Sequence, residues 1–148
     1  MTKQEITKEN IETIVIKWQK ILRLLDWDIS VQIVENEWRK SGDVKIDIDN
    51  KMAIMLINKN LKCENLVELV IHELLHIRLW PMDQMIEELL DIVYGKENSK
   101  QKDFGVSQFM GTLESTVQDL TKGYVELSNS GQLSLGRLRK EVQVEIEK

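Results

Sequence analysis

The residues His72-Glu73-Leu74-Leu75-His76 set two imidazoles four positions apart, with a carboxylate directly after the first. On a helix, residues four apart lie one turn above each other, so both rings can point at one ion. Glu73 is turned by about 100° from His72, which lets its carboxylate reach a water at that ion without becoming a ligand. Imidazoles at this spacing suit zinc, and a glutamate so placed suits general-base work. These are the only two histidines in the chain, so accidental spacing explains them poorly. A solvated surface pair fits no better, because Leu69, Val70, Ile71, Leu74, Leu75 and Ile77 leave little of this helix for water.

Catalytic zinc usually takes three protein ligands and keeps a fourth position for water. No third histidine exists, and a lone cysteine, Cys63, excludes a cysteine-cluster site, so the third ligand is a carboxylate. The downstream candidates are Asp83, Glu87, Glu88, Asp91, Asp103, Glu114, Asp119 and Glu126. Glu114 is favoured because it sits in the uncharged, partly apolar stretch from Phe109 to Val117, where an inward-facing ionised side chain needs a cation. Glu87 and Glu88 are the runners-up, and they read more simply as a solvated helix face.

Several elements must position these groups. Ile11, Ile14, Val15, Trp18, Ile21, Leu22 and Leu25 recur at three- and four-residue steps, predicting a first helix over Thr7 to Leu25. Trp27, Ile29, Val31 and Ile33 then alternate with polar residues, as in a half-buried strand. Val44, Ile46 and Ile48 alternate again, Asp49-Asn50-Lys51 has turn chemistry, and Met52 to Ile57 is an apolar run, so a hairpin is expected. That second arm is too apolar to lie open on both faces, so it packs on a core or forms an edge that something else pairs with. Asn65 with Glu68 resembles a capping box, opening a helix that runs from Leu66 to Trp80 and stops at Pro81. A further helix is expected over Met82 to Tyr94, a loop over Gly95 to Gly105, and another helix from Ser107 to Leu127. The tail from Ser128 to Lys148 fits either a helix or a strand, since Leu138, Val142, Val144 and Ile146 serve both periods.

One domain over residues 1–127, with 128–148 as an uncertain tail, suits 148 residues. The chain is 42% hydrophobic and 30% charged, with no apolar run able to cross a bilayer, which predicts a soluble protein without a membrane partner. The polar start carries no secretory signal, so the expected compartment is cytoplasmic, and Cys63 reads as a free thiol just before a helix. A formal charge of -5 with basic residues scattered singly argues against nucleic acid as a partner. Trp18, Trp27, Trp38 and Trp80 read as core or near-core anchors.

Val70 to His76 followed by Leu79-Trp80-Pro81, with a later helix reading Leu113-Glu114-Ser115-Thr116-Val117-Gln118-Asp119-Leu120, resembles the small zinc metallopeptidases of phages and related mobile elements. These are minimal zincins of the gluzincin type. The likeness extends back through Leu24-Leu25-Asp26-Trp27-Asp28-Ile29 and the hairpin, spanning roughly Ile11 to Leu127; only the His-Glu-x-x-His part is highly specific. It implies an α+β fold with an N-terminal helix, a small three-stranded mixed or antiparallel sheet, the active-site helix, and a helix delivering the glutamate ligand. In gluzincins an aspartate often follows the ligand glutamate by four residues and orients a zinc-bound histidine. Here Gln118 holds that place and Asp119 comes one later, so both are candidates for that role. The resemblance also suggests that an extended substrate pairs with an exposed hairpin edge, here Ile54, Met55 and Leu56 of the second arm.

Together these readings predict one Zn2+ per chain held by His72, His76 and Glu114, and peptide or amide hydrolysis of a peptide or protein substrate with Glu73 as general base. The rival reading is a catalytically silent zinc-binding module that engages another protein of a phage or mobile element. A metal-free domain with an incidental motif is the remaining alternative. Tyr94, Tyr124 and Arg78 are the candidates for stabilising an oxyanion, though each also reads as an ordinary amphipathic side chain.

Overall fold

The computed structural model describes residues 5–62, 65–128 and 142–147. It is an α+β arrangement in which one face of a small mixed sheet is covered by helices.

Helix α1 spans Lys8–Ile21, with the Thr7 hydroxyl accepting from the backbone N–H of Asn10 at 3.1 Å as its N-cap. Ile11, Ile14, Val15 and Trp18 form its buried face. The helix ends earlier than the expected Leu25 because Arg23 takes a left-handed backbone with φ 62°. The buried Gln19 amide then fastens the turn to α1, donating to the carbonyls of Leu24 at 3.1 Å and Trp27 at 3.0 Å.

Strands β1 (Asp28–Val34), β2 (Gly42–Asp47) and β3 (Met52–Asn58) lie in the order β1-β3-β2, with β1 parallel and β2 antiparallel to β3. The expected hairpin is present as β2 and β3, and β3 is the central strand. Its neighbours pair with it on both sides along its whole length, so Ile54, Met55 and Leu56 cannot offer an edge to a substrate. The apolar run is explained by burial: Ala53, Met55 and Ile57 face the helices, and Met55 and Ile57 are wholly buried. The free edge on the hairpin side belongs to β2. Because Ser41 accepts from the N–H of Asn58 at 2.8 Å, the alternation of an antiparallel ladder turns the backbone groups of Gly42, Val44 and Ile46 outward.

Helix α2 is a single element from Leu66 to Tyr94, with Pro81 inside it where a stop was expected. A proline within a helix forfeits one backbone bond and costs about 3 kcal/mol, a local penalty that packing can override. Beyond Pro81 that packing comes from helix α3 (Lys100–Ser128): Leu90 lies so close to Gly105 that an added Cβ would stand 2.9 Å from its Cδ2, and Lys102 pairs with Asp91. α3 starts seven residues earlier than the expected Ser107, because Ser99 caps it, its hydroxyl accepting from the N–H of Lys102 at 3.1 Å. Leu113, Val117 and Thr121, at four-residue steps, are its buried stripe.

In the tail, residues 142–147 are helical, with Val142, Val144 and Ile146 exposed. Leu133, Leu135, Leu138 and Cys63 lie outside the described residues. Among the described residues no helix is long and apolar enough to cross a membrane.

Candidate metal centre

The N-terminal half of α2 lies under the sheet, and its capping fixes where the histidines emerge. Asn65 accepts from the N–H groups of Val67 at 2.9 Å and Glu68 at 3.3 Å, while Leu66, Leu69, Val70, Ile71, Leu74, Leu75 and Ile77 are buried. That leaves one narrow face, carrying His72 and His76, turned toward α3. Glu114 and Gln118 sit one turn apart on α3, beside the buried Leu113 and Val117, and meet that face.

The Nε2 atoms of His72 and His76 are 3.3 Å apart, and the Glu114 carboxylate lies 3.4 Å from the first and 2.9 Å from the second. In a tetrahedral zinc site with bonds near 2.0–2.1 Å the ligand atoms stand about 3.3 Å from one another. The three donors therefore have the spacing that a small cation requires, and they form a group that can hold a metal ion. Glu114 reaches this place with its side chain half-exposed at the rim of a cleft, where the sequence suggested an inward-facing one.

Hydrogen bonding settles the tautomer of one ligand. The Gln118 amide donates through Nε2 to the Glu68 carboxylate at 2.9 Å, and its Oε1 stands 2.9 Å from Nδ1 of His72. An ionised carboxylate only accepts, so the amide must turn its NH2 toward Glu68, and its oxygen then requires a hydrogen on His72 Nδ1. The lone pair of His72 is thereby left on Nε2, facing the shared centre. Gln118 takes the orienting position, whereas Asp119 is exposed on another face of α3. For His76, burial holds the imidazole below its ordinary pKa, Glu114 opposes this, and His72 reinforces it. A neutral imidazole is the form that binds a metal.

Glu73 is only 6% exposed and accepts no hydrogen bond among the described residues. Burial, then the charges of Asp43 and Glu114, raise its carboxyl to about 8, with Lys40 pulling the other way. It opens into a cleft between α2, α3 and the β2 edge. One part, of about 370 Å³, is lined by Lys40, Gly42, Asp43, Val44, Ile46, Trp80, Asp83 and Met110 together with His72, Glu73, His76 and Glu114. The adjoining part, of about 330 Å³, lies over Ser41, Glu68, Leu69 and Gln118.

Lys40 is set at the cleft by Asn58, whose buried amide donates to the carbonyls of Trp38 at 3.1 Å and Lys40 at 2.8 Å. Its ammonium lies 3.1 Å from Asp43, and Lys45 approaches the same carboxylate at 3.2 Å. Burial pushes the Asp43 carboxyl up, but these lysines and the Val44 N–H hold it below its ordinary value overall. Burial and the nearby Glu87 raise the Asp83 carboxyl, while His76 draws it down.

Neither Tyr94, Tyr124 nor Arg78 lines the cleft. Tyr124 packs edge-on against Trp18, with ring centroids 5.9 Å apart. Sequence reasoning passed over Lys40, Asp43 and the second use of Glu68. Asp83, weighed there as a third ligand, instead lines the cleft wall two turns along the helix face from His76 and is not one of the three grouped donors.

Set beside known proteins, the chain matches no family model, no curated protein and no solved structure.

Proposed function

We propose that this protein is a zinc-dependent metallopeptidase of the gluzincin type, the class its sequence resembles. The observation that carries the reading is the convergence of His72 Nε2, His76 Nε2 and the Glu114 carboxylate within 3.4 Å, beside a buried glutamate that opens on the same cleft without a hydrogen-bond partner among the described residues. Zinc held by these three residues would supply Lewis acidity toward a water and toward the scissile carbonyl.

The remaining chemistry belongs to the chain. Glu73 takes a proton from the attacking water as its oxygen bonds to the carbonyl carbon, then gives that proton to the nitrogen as the carbon–nitrogen bond breaks. The outward backbone groups of Gly42 and Ile46 and the Val44 carbonyl receive an extended substrate as an added strand, the Val44 N–H being held by the Asp43 carboxylate at 2.9 Å; this is the role the resemblance had suggested for β3. Antiparallel addition runs the substrate opposite to β2. Because Gly42 packs on Leu69, near the start of α2 and far along that helix from Asp83, the Gly42 end of β2 is the one remote from Asp83, and the N-terminal side of the substrate lies toward Asp83.

The test is zinc content by elemental mass spectrometry beside hydrolysis of a peptide mixture, for wild type, Glu73→Gln and Glu114→Ala. The reading expects about one zinc per chain in wild type and Glu73→Gln, loss of zinc in Glu114→Ala, and cleavage by wild type alone. Zinc retained with no cleavage by any variant would favour the silent binding module. Failure of wild type to hold zinc when supplied with it removes both readings.

A further inference from the structure

The cleft is electrostatically uneven along its length. At the Gly42 end Lys40 and Lys45 both meet Asp43, so charge there is matched locally. At the other end, two turns along α2 from His76, the half-buried Asp83 carboxylate makes no hydrogen bond or ion pair with any described residue. Glu87, one turn further, adds a second negative charge, and the lysine of α3 in this region, Lys102, is already paired with Asp91.

Asp83 shares the cavity of about 370 Å³ with the apolar side chains of Trp80, Met110, Val44 and Ile46 as well as with the donor group. A carboxylate on a cleft wall that also carries a tryptophan and aliphatic side chains suits one kind of guest. That guest is a side chain with a hydrocarbon stem and a cationic head, which covers the apolar wall and neutralises the acid together. An acidic side chain there would face Asp83 and Glu87 while Lys40, the lysine on the same cavity wall, is engaged by Asp43, and an apolar one would leave Asp83 desolvated and unpaired.

We propose that this end of the cleft is a specificity site for lysine or arginine, with Asp83 taking the charged head and Trp80 and Met110 the aliphatic stem. The inference rests on the peptidase reading for its substrate class. With the substrate antiparallel to β2, the basic residue lies on the N-terminal side of the bond that is cut.

The test uses the full chain carrying Glu73→Gln, with zinc added, so that binding is read without turnover. The probes are capped hexapeptide mixtures randomised over Ala, Gly, Ser and Leu, with one central residue fixed as Lys, Arg, norleucine or Glu, and affinity is measured by calorimetry. Lys and Arg mixtures are expected to bind at least about tenfold more tightly than norleucine, since a charged hydrogen bond is gained. Adding Asp83→Asn, nearly unchanged in size, is expected to bring the three within about twofold, and Asp83→Lys to turn the preference toward Glu. Equal binding of Lys, Arg and norleucine in the Glu73→Gln background overturns the proposal whatever the Asp83 variants do, as does a basic preference that survives Asp83→Asn. Wild type incubated with the same mixtures separates this from the parent reading. An Asp83-dependent preference without cleavage keeps the specificity site and removes the peptidase. Cleavage indifferent to the fixed residue keeps the peptidase and overturns the site.

Discussion

Gln118 holds His72 by its outer nitrogen, Oε1 to Nδ1 at 2.9 Å, and is itself held by Glu68. The chain Glu68–Gln118–His72 thus fixes both ring orientation and tautomer from two helices at once. Partners of this kind typically contribute 10–100-fold to metal affinity. Gln118→Ala is therefore expected to weaken zinc binding by about that factor, measured by competition with a chromogenic chelator, while Asp119→Ala leaves it unchanged. Equal affinities in wild type and Gln118→Ala would remove the orienting role.

Glu73 gives the metal-free protein a definite pH response. Its folded carboxyl is raised from an ordinary 4.5 to about 8 by burial first and by Asp43 and Glu114 after it. Below the ordinary value both folded and unfolded chains hold the proton. Between that value and about 8 only the folded chain does, so stability contributed by this group falls as pH rises through the window and levels off above it. Urea unfolding in the presence of a chelator should show that decline, and Glu73→Gln should flatten it. A slope unchanged in the variant assigns the proton to another group.

Gly42 keeps β2 close over α2. A Cβ there would stand 2.9 Å from Leu69 Cδ1 and 3.3 Å from the Leu56 carbonyl oxygen, and the backbone carbonyl has little freedom to move. Gly42→Val is expected to destabilise the fold by about 1–3 kcal/mol through overpacking, read from denaturant midpoints. It should also lower peptide binding more than zinc binding, because the strand edge is displaced and the ligands are not.

Pro81 weakens the helix that it interrupts. Pro81→Ala restores one backbone donor to α2 and is expected to raise stability by about 1–2 kcal/mol, the gain being reduced by the greater freedom of the unfolded chain. Slower amide exchange over residues 78–85 would locate the gain; a lower melting temperature would show that the proline is needed for the bend or packing of α2 against α3.

Much of this was legible in the sequence wherever one helix or strand decided the matter. The two histidines share a face because a helix repeats every 3.6 residues, and the hairpin follows from alternation around Asp49-Asn50-Lys51. Glu114 was legible from its uncharged surroundings, although it reaches the metal position from the rim of the cleft rather than from a buried one. Strand order was not legible. Alternation tells which face of β3 is buried and says nothing of which strands lie beside it, so the edge was assigned to Ile54, Met55 and Leu56 when it belongs to Gly42, Val44 and Ile46. Pro81 misled for a related reason, since its local penalty is visible in sequence and the compensating contact of α3 is not. Lys40 gave little signal, and Asp83 was weighed only as a ligand, because a single charge looks alike on a solvated face and on a cleft wall.

The groups that could hold or orient an ion all come from α2 and α3, which are joined by the short segment 95–99. The sheet closes by its own pairings, β2 on β3 as a local hairpin and β1 on β3 in parallel, and none of them passes through these donors. An ion bound there would therefore act as a clasp between two helices that are neighbours in sequence, and its removal would be felt first where α2 meets α3.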